Sequence, residues 1–309
     1  SLRIFHAGWR NKSSGRSILL ATGHGRQVLN VLDISDTPEQ TQRTRLETGD
    51  WFALFSGQPA NTHLFINRGA PVYMDANPNT NYWLQLWADV NKKPVKVGDT
   101  YDTEFFNITW PMSERIIDAK TIANVVGYLE KPDGLQITRG TQANSPGGLL
   151  ELTPDNYAVE LAIPKPKDLP TLTVPVRVSG FNKRWSIGLY QVDGYRTHYY
   201  SKANSGWRAL GLDNDGRAYA PLYVSKAANT RVMIGHPVVA DAAGKDLFIQ
   251  TTRINDGLDG KPPLWHLSVN NPTDKPVTTT LKRAMDLPGL DFTEQTLTLQ
   301  PGEYRVIGK

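Results

Sequence analysis

The sequence predicts a mainly β protein: two β-sandwich-like halves, or one large multi-sheet unit, with at most one or two short helices. Three observations predict it. β-Branched and aromatic residues fall in short runs, 21 prolines and 26 glycines punctuate those runs, and only one window has a helical period. Short branched or aromatic runs suit a pleated sheet, and proline and glycine suit the turns between strands. With 309 residues, 39% of them hydrophobic and 21% charged, the chain can bury a large core and lacks the composition of a disordered segment.

From the start of the chain, RIFHAGWR, SILLATG and RQVLNVLDI (3–34) are strands separated by glycine-bearing turns. The polar stretch 36–44 is a loop. WFALFSG (51–57), THLFINRG (62–69) and PVYMD (71–75) are three closely spaced strands, followed by a loop rich in Asn and Pro. In YWLQLWADV (82–90), period-two alternation puts Leu84, Leu86 and Ala88 on a core face. Trp83, Gln85, Trp87 and Asp89 fall on the opposite face. The helix is expected near 113–129, capped by Ser113, with Ile116, Ile117, Ile122 and Val125 at helical spacing and Asn124 and Gly127 weakening its end.

Four prolines in AIPKPKDLPTLTVP (162–175) mark the strongest boundary signal, either a linker or a crossover between sheets. The expected division is 1–163, a connection at 164–174, and 175–309. The second half repeats the strand pattern, with a hairpin at Asp213-Asn214-Asp215-Gly216 and a tail, LWHLSVNN to YRVI, like the last strands of an extracellular sandwich.

Several function classes are excluded or disfavoured. No cysteine is present, so disulfide frameworks and thiolate metal sites are ruled out. No apolar run reaches the roughly 18 residues of a membrane helix. The net charge of +4 is spread among acids without a Lys/Arg block, which disfavours nucleic acid. No phosphate loop, dinucleotide fingerprint or nucleophile elbow occurs. No His spacing suits zinc, so no metal and no cofactor is expected. The oxygen-rich turns at 213–216 and 255–260 are the places where a structural calcium would sit. The chain opens directly on strand-like sequence, which suggests removal of a leader and an extracellular or periplasmic location.

The densest chemical stretch is 190–207, YQVDGYRTHYYSKANSGW. As an extended strand it projects Arg196, His198 and Tyr200 to one face, with Lys202 following. Proton abstraction beside a uronate carboxylate needs a charge neutraliser, a base and a proton donor, and this ridge holds candidates for all three. The structural alternative is an exposed face whose aromatic stems cover apolar neighbours. His24, set between two glycines and followed by Arg26, is a second ligand-facing turn, or a simple reversal. Among eight tryptophans, Trp83, Trp87, Trp185 and Trp207 lie beside polar residues, the mixture that sugar clefts use; at least half of the aromatic rings are expected to fill the core.

These features point to an exported carbohydrate-interacting protein with a polysaccharide or oligosaccharide partner. An active polysaccharide lyase or glycoside hydrolase, or a structural or assembly protein of a cell surface or virion, are the rivals.

Overall fold

The computed structural model describes residues 3–9, 18–33, 42–56, 62–77, 82–88, 96–101, 103–110, 118–143, 150–164, 168–170, 172–192, 207–224, 229–254 and 263–308. The protein is mainly β, built mostly of antiparallel strand pairs, with one α-helix among the described residues. It divides into two compact units, Ser1–Pro132 with Ser145–Leu149, and Asp133–Asn144 with Leu150–Lys309. The division thus falls near residue 132, and the proline-rich stretch lies within the second unit.

The first unit contains β1 (Arg3–Trp9), β2 (Ile18–His24), β3 (Gln27–Asp33), β4 (Gln42–Leu46), β5 (Asp50–Ser56), β6 (Thr62–Asn67), β7 (Val72–Asn77), β8 (Tyr82–Ala88), β9 (Phe105–Trp110) and α1 (Ala119–Glu130). Two antiparallel sheets form, in the orders β1-β8-β7-β4 and β3-β2-β5-β6-β9. Leu20, Phe52 and Phe65 from the second sheet meet Leu46, Val72, Met74 and Leu86 from the first in one core cluster. Stacked rings of Phe52 and Phe65, 4.7 Å apart, sit at its middle. As expected, Leu86 and Ala88 of β8 point into the core.

The other face of the five-stranded sheet carries Trp51, Ala53, Leu64 and Ile66, all fully buried. Burial on both faces explains why β5 and β6 read as continuous apolar runs rather than alternating ones. Helix α1 lies against this sheet at β2 and β3, burying Ile122, Val125, Val126 and Leu129. Its N-cap is Asp118, which accepts hydrogen bonds from Thr121 N (2.7 Å) and Thr121 Oγ1 (2.8 Å). Such a cap contributes about 1 kcal/mol. The expected cap, Ser113, lies outside the described residues.

The second unit contains β10 (Gln136–Arg139), β11 (Thr141–Ala143), β12 (Leu150–Thr153), β13 (Ala158–Ile163), β14 (Leu172–Val178), β15 (Ile187–Val192), β16 (Trp207–Leu210), β17 (Ala218–Val224), β18 (Thr230–Gly235), β19 (Val238–Ala240), β20 (Phe248–Arg253), β21 (Trp265–Asn270), β22 (Val277–Arg283), β23 (Gln295–Leu299) and β24 (Tyr304–Gly308). Its sheets run β10-β13-β18-β15-β16, β11-β12-β14-β17, β19-β22-β23 and β20-β21-β24. Residues 164–171 connect β13 of the first of these sheets with β14 of the second.

The two three-stranded sheets share a core that includes Val239, Ile249, Leu267, Val269, Leu281 and Leu299. The chain crosses between them at the Asn-Pro-Thr-Asp turn. There the fully buried Asn271 donates from Nδ2 to Lys275 O (2.8 Å), Leu299 O (3.1 Å) and Gln300 O (3.2 Å).

A second polar tether is His236, fully buried. Its Nε2 accepts from Asn182 N (3.1 Å), which leaves Nδ1–H to donate to Ser186 O (2.9 Å). Phe181 and Trp185 stand edge-on to the ring at 5.1 and 5.4 Å. Burial pushes the imidazole down to about 4, only partly opposed by the bond to Ser186.

Candidate functional site

In the first unit the tight turn between β2 and β3 carries His24 and Arg26, and the fold brings two acids to them. His24 Nδ1 lies 2.8 Å from Asp50 Oδ1, on the first residue of the neighbouring strand β5. The other carboxylate oxygen of Asp50 accepts from Glu47 N at 2.7 Å, which fixes its orientation. Held this way, a neutral imidazole carries its proton on Nδ1 and presents the Nε2 lone pair outward. The His24 side chain is 59% exposed.

Glu130, the last residue of α1, supplies the second acid. Its carboxyl oxygens lie over Gly25, where a Cβ would stand 3.2 Å from Oε2. Burial raises the Glu130 carboxyl above the usual range, and the charges of His24 and Arg26 pull it partly back. The C-terminal end of a helix disfavours an anion for the same reason that it favours the nearby cations.

Each of these side chains rests on a glycine. The His24 ring lies over Gly49, where a Cβ would stand 3.2 Å from Cε1; Arg26 lies over Gly127, and Trp51 over Gly23, where any Cβ would collide. Trp51 Nε1 also donates to Gly25 O at 2.9 Å, pinning the turn from below. Gly25 and Gly49 have φ of +50° and +90°, values that glycine adopts without strain. The result is an imidazole, a carboxyl group and a guanidinium gathered on one backbone shelf. Asp50 and Glu130 lie 26 and 106 residues from His24, so sequence reading alone did not connect them. Gly127, in the last turn of α1, was the available signal, because a glycine inside a helix can mark a close approach.

A second surface lies in the second unit, on the outer face of β20-β21-β24. Register places Phe248, Asn270 and Tyr304 side by side across the three strands. Phe248 is 44% and Tyr304 58% exposed. Two strand spacings separate them, about 10 Å. The Arg184 guanidinium covers Phe248 at 5.2 Å from the ring centroid, and Asn270 Nδ2 is held by Glu303 O at 3.2 Å. The next row is Gln250, Ser268 and Val306, and the far end carries the exposed Ile254 and Leu264. Sequence reading passed over Phe248, which shares its parity with Gln250 and Thr252, and Tyr304, which shares its parity with Val306.

The remaining expected residues fare differently. Arg196, His198, Tyr200 and Lys202 lie outside the described residues, in the connection between β15 and β16. Trp185 is 4% exposed and packed against Tyr157 and His236. Trp207 is half-buried, set over Gly188 and edge-on to Trp265 at 5.1 Å, so it serves the core. Trp87 is half-buried on β8, and of Trp83 only the backbone is described. The Asp213 turn is closed from within. Asp213 Oδ1 accepts from Asp215 N (2.8 Å) and Arg217 N (2.9 Å), and Arg217 Nε donates to Oδ2 (2.9 Å). The turn at 255–260 lies outside the described residues. Among the described residues no cluster of His, Asp and Glu could hold a metal ion, and no helix is long and apolar enough to cross a membrane.

Comparison of the chain with protein-family models, curated proteins and solved structures finds no match.

Proposed function

We propose that the chain is a carbohydrate-interacting β-sandwich protein of an exported polysaccharide-binding or polysaccharide-degrading system. The observation that carries this reading is the Phe248–Asn270–Tyr304 row. Sugar rings stack their C–H faces on aromatic rings while their hydroxyls need amides and guanidinium groups at the edges. The row offers two exposed rings, an amide between them, and Arg184 and Gln250 alongside.

A thermal-shift screen against neutral and acidic oligosaccharides tests it. A stabilising ligand is expected in at least one class, and Phe248→Ala or Tyr304→Ala should weaken its binding about tenfold, matching a loss of roughly 1–1.5 kcal/mol of ring stacking. Unchanged affinity in both variants removes the assignment.

The exposed aliphatic end of the same face, Ile254, Leu264 and Val306, favours a second reading: a structural or assembly protein that buries this sheet against another subunit. Apolar contacts of that kind mark protein interfaces. Silence in the screen together with concentration-dependent light scattering selects it.

A further inference from the structure

The shelf in the first unit holds more than a binding site requires. Resting on the carbohydrate reading, we propose that His24, Glu130 and Arg26 form an acid–base catalytic site that cleaves uronate-containing glycans by β-elimination. The evidence is the combination of roles. Asp50 fixes the His24 tautomer at 2.8 Å, leaving Nε2 with its lone pair and no hydrogen bond among the described residues. Glu130 ends a helix over Gly25, within electrostatic reach of both His24 and Arg26. A surface that served only packing would not need three polar side chains seated on three glycines.

The chemistry balances on these groups alone. Arg26 pairs with the uronate carboxylate and stabilises the charge that builds there when the C5 proton leaves. His24 Nε2 takes that proton. The C5–H electron pair becomes the C4–C5 double bond, and the C4–O4 bond breaks. Glu130, as the carboxylic acid, protonates the departing O4. Solvent then removes the proton from His24 and returns one to Glu130, so no oxidant, metal or nucleophile is required. Asp50 is a positioning residue, acting through the imidazole.

The test uses the whole chain with oligouronides, reading absorbance of the unsaturated ends, new reducing ends and ligand affinity on the same samples. The wild type should accumulate both kinds of end in equal number. His24→Asn, which keeps an exposed polar side chain, should lower turnover about 100-fold or more, as loss of a general base does, with little change in KM. Glu130→Gln should lower kcat and remove the fall in kcat that sets in as the pH rises and the carboxyl ionises. Asp50→Asn should lower kcat and shift its pH profile, which a merely structural role would not do.

Binding of oligouronides with no unsaturated ends at any pH overturns the catalytic proposal and leaves the binding reading standing. Reducing ends without unsaturated ends replace elimination with hydrolysis and overturn it too. Turnover unchanged in His24→Asn removes the site assignment. No binding of any glycan removes the binding reading as well.

Discussion

Two histidines in this chain show how much a fold decides for one residue type. His24 stands on a turn, more than half exposed, with a carboxylate on Nδ1 and Nε2 open to a ligand. His236 is sealed among Phe181, Trp185 and Tyr157, both nitrogens committed to backbone groups, and burial keeps it uncharged. The first is held at the surface by one anion, and the second is built into the core. The difference lies in the partners: an oriented anion and a backbone shelf in one case, two main-chain groups and three aromatic rings in the other.

That contrast fails most visibly if His236 proves dispensable. His236→Ala leaves Asn182 N–H and Ser186 C=O buried without their partner and opens a cavity. Urea titration should record a loss of about 3–4 kcal/mol. His24→Asn should cost far less, since an exposed ring leaves no cavity. Equal losses would show that His236 is no more deeply committed to the fold than His24.

Acid provides the next largest effect. The folded His236 titrates at about 4 against an ordinary 6.5. The unfolded chain therefore binds more protons between those values, and stability falls as the pH falls. Its contribution is complete above about pH 6.5, is lost progressively down to about pH 4, and amounts to about 3 kcal/mol. Stability curves against pH for the wild type and His236→Gln should diverge in this window, with the variant the flatter one.

Smaller changes sharpen the account of the turn. Gly49→Ala forces a side chain onto φ +90° and toward the His24 ring. It should cost about 1–2 kcal/mol in thermal unfolding and weaken ligand binding at the turn. Gly127→Ala improves helix propensity by about 1 kcal/mol while pushing Arg26 from its seat. Its stability should change by less than that, and activity should fall.

Much of the architecture was legible because sandwich cores impose period-two alternation, as in β14, whose LTVPVRV alternates buried and half-buried positions without a break. The helix was legible from Ile122 and Val125, but not its start, since Asp118 outcompetes nothing visible in sequence until the chain turns there. The tryptophans were less legible: a polar neighbour in sequence, such as Arg184 beside Trp185, says little about the burial of the ring. His24 and Arg26 stood out by their glycines. Asp50 and Glu130 did not, because only tertiary contact joins residues so far apart. The division near residue 132 depends on tertiary contacts of the same kind.

The carbohydrate reading is tested most directly by mapping where a glycan lands. A titration of the isotope-labelled chain with oligouronide, followed through the aromatic and imidazole resonances, resolves Tyr304, Phe248, His24 and His236 separately. Saturable shifts are expected at Tyr304, Phe248 and His24, with His236 unmoved. Saturable binding that leaves all three of those residues silent would contradict that expectation.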